Sequence, residues 1–220
     1  MKSTDSIGVI FDMDGVLVDS AESHYESWKR LAEECGGSVT REQFTRTFGR
    51  QNCDIIPILF GDVSDERSTA LADRKEEIYR ELIRSRPPIV EGAPELVRSL
   101  HDAGVRLAIG SSAPRENITL ILDAMGVTSC VSAIVSGDDH ERGKPDPQVF
   151  QLAVGRLGLE PSRCVVLEDA PLGVQAARAA GTRTVAVLLY HTAEAFDGAD
   201  DIVSCLGELS VGRLVSLACM

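Results

Sequence analysis

The sequence predicts an α/β fold, a parallel-sheet core interrupted by an inserted helical domain. Three observations carry that expectation. Short apolar runs recur along the chain, several ending in acidic, glycine or serine residues, and segments with helical periodicity fill the gaps between them. Residues 20–88 break the alternation with long helical patterns and no convincing strand.

Ile7-Gly-Val-Ile-Phe11 is the first run, short and apolar enough to be a strand buried on both faces. The insertion follows, with helical patterns over Ala21 to Cys35 and Glu66 to Arg84, and hinges expected near Val18–Ser20 and Arg86–Val90. Pro87-Pro88 forces extended chain before the alternation resumes. Strands are then expected at Val105 to Gly110, Ala133 to Val135, Cys164 to Leu167 and Thr184 to Leu188. Between and around them Leu96, Val97 and Leu100, then Ile118, Ile121, Leu122 and Met125, space two helix faces. Leu152, Ala153 and Leu157, then Val174, Ala177 and Ala180, space two more. Gly104, Gly126, Gly158 and Gly181 stand just past these helices, where a left-handed terminating residue is favoured. Asp201 to Met220 adds a last short strand and a closing helix. The core is therefore assigned to residues 1–19 and 89–220, and the insertion to residues 20–88.

The 220 residues carry a formal net charge of -12. A chain this acidic lacks the basic face that nonspecific nucleic-acid binding needs, and its field repels any anionic substrate unless local cations oppose it. Six cysteines without a CxxC pair suit free thiols in a reduced cytoplasm. The first apolar run stops at Asp12, too short for a signal peptide or a membrane span, so a cytoplasmic protein without a membrane partner is expected. Nothing in the sequence fixes an oligomeric state; a monomer suffices.

Four constellations can carry chemistry. Asp12-Met-Asp14-Gly15 ends the first strand, and side chains two apart in extended chain face the same way. Two carboxylates ~4 Å apart at an effective dielectric of about 20 repel by roughly 4 kcal/mol, which a hard divalent cation such as Mg2+ relieves. The same residues also serve as turn formers ahead of a glycine. Gly110-Ser111-Ser112 follows another strand and can cradle an anion or cap the helix starting near Pro114. In Gly143-Lys144-Pro145-Asp146-Pro147 two prolines preset the approach of a lysine that would otherwise be a solvated surface residue. Glu168-Asp169 ends a fourth strand, at a ligand-binding sheet edge or as a cap for the helix near Pro171. Four independent caps need no such chemical complement; one rim of one sheet does.

Phe11-Asp12-Met-Asp14-Gly15-Val-Leu-Val-Asp19-Ser20, Ser111-Ser112, Gly143-Lys144-Pro145-Asp146-Pro147 and Glu168-Asp169-Ala170-Pro171-Leu172-Gly173 resemble, in order, the four motifs of the haloacid dehalogenase superfamily. The insertion resembles the helical cap of its β-phosphoglucomutase-like branch, through Ala21-Glu22-Ser-His24-Tyr-Glu-Ser-Trp28-Lys29, Phe48-Gly49-Arg50 and Ala72-Asp73-Arg74-Lys75. The resemblance implies a Rossmann-like core with a helical cap, and a Mg2+-dependent phosphoryl transfer on a small phosphorylated metabolite. It implies Asp12 as nucleophile, Asp14 as acid and base, and Lys144 as the charge-offsetting cation. Ser111 and Ser112 would bind phosphate, and Asp12, Asp14, Glu168 and Asp169 would surround the metal. His24, Arg50 and Lys75 would contact substrate. On sequence alone His24 is equally a surface histidine, and Trp28 reads as cap core. The mutase's phosphate-gripping arginine is replaced here by Asn52, which ranks a phosphatase ahead of a mutase. A non-catalytic phospho-ligand binder on the same fold is the alternative from another class.

Overall fold

Every residue of β1 (Gly8–Phe11) is buried, as its unbroken apolar sequence demands of a strand covered on both faces. In the computed structural model, which describes residues 7–47 and 50–220, β1 lies inside a six-stranded parallel sheet. Its other strands are β2 (Arg106–Gly110), β3 (Ala133–Val135), β4 (Cys164–Glu168), β5 (Arg183–Val187) and β6 (Asp201–Val203), in the order β3-β2-β1-β4-β5-β6. This is the doubly wound order, in which chain direction across the sheet reverses beside β1 and leaves a crevice at the strands' carboxyl ends. The α/β expectation holds, with strand ends moved by a residue or two.

Helices α5 (Ala93–Asp102), α6 (Arg115–Met125), α7 (Gln148–Leu157), α8 (Pro171–Ala179) and α9 (Val211–Leu217) accompany the strands. (The insertion's helices α1 (Ala21–Glu34), α2 (Arg41–Thr47), α3 (Asn52–Phe60) and α4 (Asp65–Ile83) precede them.) The α5 and α6 stripes read from the sequence are the buried ones, Leu96, Val97 and Leu100 on α5 and Ile118, Ile121, Leu122 and Met125 on α6; on α7 Ala153 and Leu157 are buried and Leu152 is half-buried at the edge of the core. Fully burying one such aliphatic side chain contributes roughly 1.5–3 kcal/mol. Ile10, Ala108, Val166, Val149 and Phe150 belong to one continuous core, so sheet and α7 are held by the same apolar contacts. The two chain crossings of this unit run side by side, with Val90 N–H donating to Leu17 O at 3.0 Å.

The chain divides into two compact units, Met1–Asp19 with Ile89–Met220, and Ser20–Pro88. The second holds α1, α2, α3 and α4 around its own core of Trp28, Leu31, Phe44, Ile55, Ile56, Leu71 and Ile78. Ser64 caps α4 by accepting from Arg67 N–H, with Asp65 and Glu66 in the first turn where the helix dipole favours acids. The short helices α2 and α3 were not separately expected; seven and nine residues, with Pro57 inside the second, give little periodicity to read. No helix among the described residues is long and apolar enough to cross a membrane.

Candidate active site

Register assembles the site. Phe11 is aligned with Ile109 on one side and Leu167 on the other, so Asp12, Gly110-Ser111 and Glu168-Asp169 leave the sheet at one edge. Asp12 N–H still donates to Leu167 O at 3.0 Å, extending the ladder one step and fixing its side chain beside β4. Met13 turns into the core with no exposure, so Asp14 returns to the side of Asp12, as a two-residue period requires. Gly15 then turns the chain at φ 79°, closed by its N–H to Val18 O at 2.8 Å. A Cβ there would lie 1.9 Å from Asp169 Oδ2. Backbone conformation and the close approach of an acid both demand glycine.

Glu168 is wholly buried and both its oxygens are engaged: Oε1 accepts from Lys144 Nζ at 2.5 Å, and Oε2 from Ala170 N–H at 2.7 Å. Gly173 makes room for it, since a Cβ would fall 1.7 Å from Oε1. Lys144 Nζ also lies 3.0 Å from Asp12 Oδ1 and 5.0 Å from the centre of the Phe150 ring. The contact with Asp12 is a close ion pair out of hydrogen-bonding alignment, which leaves Oδ1 buried with no donor aimed at it.

Burial pushes the Asp12 carboxyl up to about 7; Lys144 opposes this, while Glu168 and Asp14 reinforce it. Burial, then Glu168 and Asp12, likewise hold Asp169 well above the usual carboxylate range. Lys144 moves the other way from what burial dictates, because Asp12 and Glu168 together raise it and keep it charged. Ligand oxygens of Asp12, Glu168 and Asp169 lie within 4.8 Å of one another. With Asp14, four carboxyl groups face one ammonium; full ionisation would leave three negative charges in excess, which is why Asp12 and Asp169 tend to keep their protons unless a cation is bound. An orphaned Asp12 oxygen and an all-carboxylate donor set fit a hard divalent cation such as Mg2+.

Ser111, 2% exposed, accepts from Ala113 N–H at 3.2 Å, which leaves its hydroxyl proton to be donated to an anion. Ser112 is exposed beside it. Of the residues expected in the core unit, Asp12, Lys144 and Glu168 are in direct contact and Asp169 joins their cluster, with Asp14 on the adjoining turn and Ser111 and Ser112 on the neighbouring strand's edge.

In the helical unit, Lys75 is 2% exposed rather than presented at a surface. Its Nζ lies 2.7 Å from His24 Nδ1 and donates to Glu76 Oε1 at 2.8 Å, with the Trp28 ring centre 5.4 Å away. An ammonium can only donate, so His24 Nδ1 accepts and its Nε2 carries the proton. The His24 ring stacks on Tyr79 at 4.2 Å. Asn52 Nδ2 donates to Glu76 Oε1 at 2.8 Å, which commits the residue standing in the arginine's place to the interior of this unit. Burial alone would raise Glu76, but Lys75, His24 and Asn52 hold it down at about 2. Trp28 is buried core, as read; Arg50 is exposed; Phe48 and Gly49 lie outside the described residues. Sequence reasoning missed Glu76, and read Asn52 only as a departure from the mutase pattern rather than as the partner of a buried acid. The signal was present: Lys75 falls on the apolar stripe of α4 with Leu71, Ile78 and Tyr79, where a lysine needs a buried counter-charge.

The sequence profile of the haloacid dehalogenase-like hydrolases matches residues 9–187. The chain is 33% identical over 205 residues to the validoxylamine A 7'-phosphate phosphatase of Streptomyces hygroscopicus subsp. limoneus, covering 91% of this chain and 94% of that protein. It is 30% identical to the β-phosphoglucomutase of Bacillus subtilis, over 94% and 92% of the two chains. A crystal structure of a HAD hydrolase of family IA, variant 3, from Entamoeba histolytica superposes with a TM-score of 0.87 at 25% identity, covering 97% of this chain and all of that one.

Proposed function

We propose, from the premise that this chain belongs to the haloacid dehalogenase-like hydrolase family, that it is a Mg2+-dependent phosphohydrolase of small phosphorylated metabolites, acting through an aspartyl phosphate. It is an enzyme of the phosphoric monoester hydrolase class; the metal, the substrate and the acceptor are the finer reading. The observation that supports it is the Asp12 oxygen, buried without an aligned donor, 3.0 Å from Lys144 and beside the oxygens of Asp169 and Glu168.

Asp12 attacks phosphorus in line. The bond to the leaving oxygen breaks as Asp14 gives that oxygen its proton, and the phosphoryl group stays on Asp12. Water then attacks the same phosphorus, Asp14 takes its proton, and the bond to Asp12 breaks to release phosphate. Lys144 neutralises the nucleophile and the phosphoryl oxygens, and Ser111 with Ser112 holds those oxygens. Asp12 and Asp169 would hold the Mg2+ with Asp14, and Glu168, which tethers Lys144, would support it; the ion would supply charge neutralisation at the phosphoryl group. His24 and Arg50 are assigned to the rest of the substrate, with Lys75 acting through His24.

Water is favoured over a sugar hydroxyl as final acceptor because a mutase must grip both ends of a bisphosphate, and Asn52 is occupied by Glu76. The mutase is the second reading, kept by the 30% identity to the Bacillus subtilis enzyme and by the exposed Arg50. The deciding experiment supplies β-glucose 1-phosphate with a bisphosphate primer in Mg2+ buffer, alongside a phosphate-release screen over a metabolite panel. Free phosphate from a sugar phosphate or similar monoester supports the hydrolase. Robust glucose 6-phosphate formation with little free phosphate overturns it. No turnover of any substrate would leave a phospho-ligand binder.

A further inference from the structure

We infer that His140 and Gln148 are positioning residues for Lys144, clamping the backbone of its loop so that the ammonium is aimed before any substrate arrives. The inference takes the role of Lys144 from the function proposed above, and the clamp itself from geometry alone.

Both backbone groups of Arg142 are claimed by side chains. Its N–H donates to Gln148 Oε1 at 3.0 Å, and its carbonyl lies 3.0 Å from His140 Nδ1. A carbonyl can only accept, so Nδ1 carries the imidazole proton. Nε2 is then a lone pair, and it is buried with no hydrogen-bond partner; the ring as a whole is 8% exposed. A buried acceptor left unpaired is unfavourable. The bond from Nδ1 to the Arg142 carbonyl is thus the polar contact this side chain makes among the described residues.

Gln148 is the first residue of α7, and its own N–H donates to Asp146 Oδ1 at 2.9 Å. Asp146 N–H donates to Gly143 O at 3.0 Å, and Asp146 Oδ2 pairs with Arg142 Nε at 3.2 Å. Residues 142–146 are therefore tied at both ends to the start of a helix whose next two residues, Val149 and Phe150, are fully buried. Phe150 also places its ring beneath Lys144 Nζ. A lysine side chain turns about four carbon–carbon bonds, and holding Nζ on Asp12 and Glu168 at once requires its Cα to be fixed. None of these contacts uses substrate.

The test pairs loss with conservative rescue. Gln148→Met removes the acceptor at similar length, and Gln148→Glu keeps an oxygen there. His140→Leu removes the Nδ1 donor, and His140→Asn places an amide near it. Turnover is measured on the best substrate of the phosphate-release screen, and Lys144 acetylation by acetic anhydride is followed by peptide mass spectrometry. The loss variants should lower kcat about tenfold or more with little change in KM, and label Lys144 several-fold faster. The rescue variants should return both readings to within about threefold of the parent. The half-buried Gln148 carries the test if the buried His140→Leu change prevents folding. Unchanged kcat and unchanged labelling in Gln148→Met would overturn the inference, as would an undiminished effect of Gln148→Met in a Lys144→Met background. A parent protein that turns over no phosphoester would sink the proposed function instead, and the labelling comparison would still decide the clamp.

Discussion

Among the described residues two lysines lie beside buried carboxylates, and their surroundings differ in kind. Lys75 faces one carboxylate, Glu76, whose charge is further satisfied by Asn52, and that carboxyl is held at about 2. Lys144 faces Asp12 and Glu168 directly, with Asp14 and Asp169 adding to the same field, and Asp12 is pushed up to about 7. The ingredients match but the balance is opposite. The helical unit's cluster closes its own charges, as a structural ion pair must if it is to offset desolvation. The core site is electrostatically unfinished, and a group of anions kept together in that condition is what a cation and a phosphoryl group would complete.

Neutralising the nucleophile is the sharpest way to break this contrast. Asp12→Asn should abolish phosphate release, by roughly 10³-fold or more, while raising the thermal midpoint of the metal-free protein by relieving the repulsion around Lys144. Retained turnover, measured as phosphate release under saturating substrate, would sink the assignment. Removing divalent ions with a chelator should also silence the enzyme. Restoring Mg2+ at 100 times its dissociation constant should stabilise the fold by about 2.7 kcal/mol, read as a shift in thermal unfolding at pH 7.5. A midpoint indifferent to Mg2+ would mean that the acids are not its site.

The helical unit should respond to the opposite kind of change. Glu76→Gln strands the Lys75 ammonium in an interior and should destabilise by about 3 kcal/mol, seen as a lower urea midpoint. A loss below about 1 kcal/mol would show that the pair is not the closed unit described here. Acidity separates the regions by sign. Asp12 has a folded value near 7 against 3.8 unfolded, so between those values the folded chain keeps a proton that the unfolded chain has released. Metal-free stability should therefore fall as pH rises through that window, by at most about 1.4 kcal/mol per unit for one group. Glu76, near 2 against 4.5, gives the reverse: stability present above 4.5 and lost as pH falls towards 2. Urea midpoints measured from pH 3 to 8, with and without Mg2+, would show a flat profile if neither site matters.

Much of the core was legible because it is local. Apolar runs of strand length, stopped by acids or glycine, announce buried parallel strands, and four such ends with complementary chemistry announce a shared rim. The Asp12-Met-Asp14 spacing reports its own geometry, since Met13 must go into the core if both acids face out of it. The glycines were legible in part. Gly15 read as a turn, but its second duty, clearing space for Asp169, involves a residue far along the chain. Gly173 offered nothing locally to show that Glu168 would press against it.

What the sequence determined by itself is the order of strands and helices in the core unit and the identity of the charged groups at the strand ends, because both follow from periodicity and residue chemistry within short windows. Only the tertiary structure decided the ion pairing. It joined Asn52 to Glu76 and His24 to Lys75, gave Lys144 two carboxylates rather than one, and left an Asp12 oxygen without an aligned donor. Those outcomes depend on distances of a few ångströms between segments remote in sequence. Electrostatic energy in a desolvated interior changes steeply over that range, while no pattern along the chain encodes it.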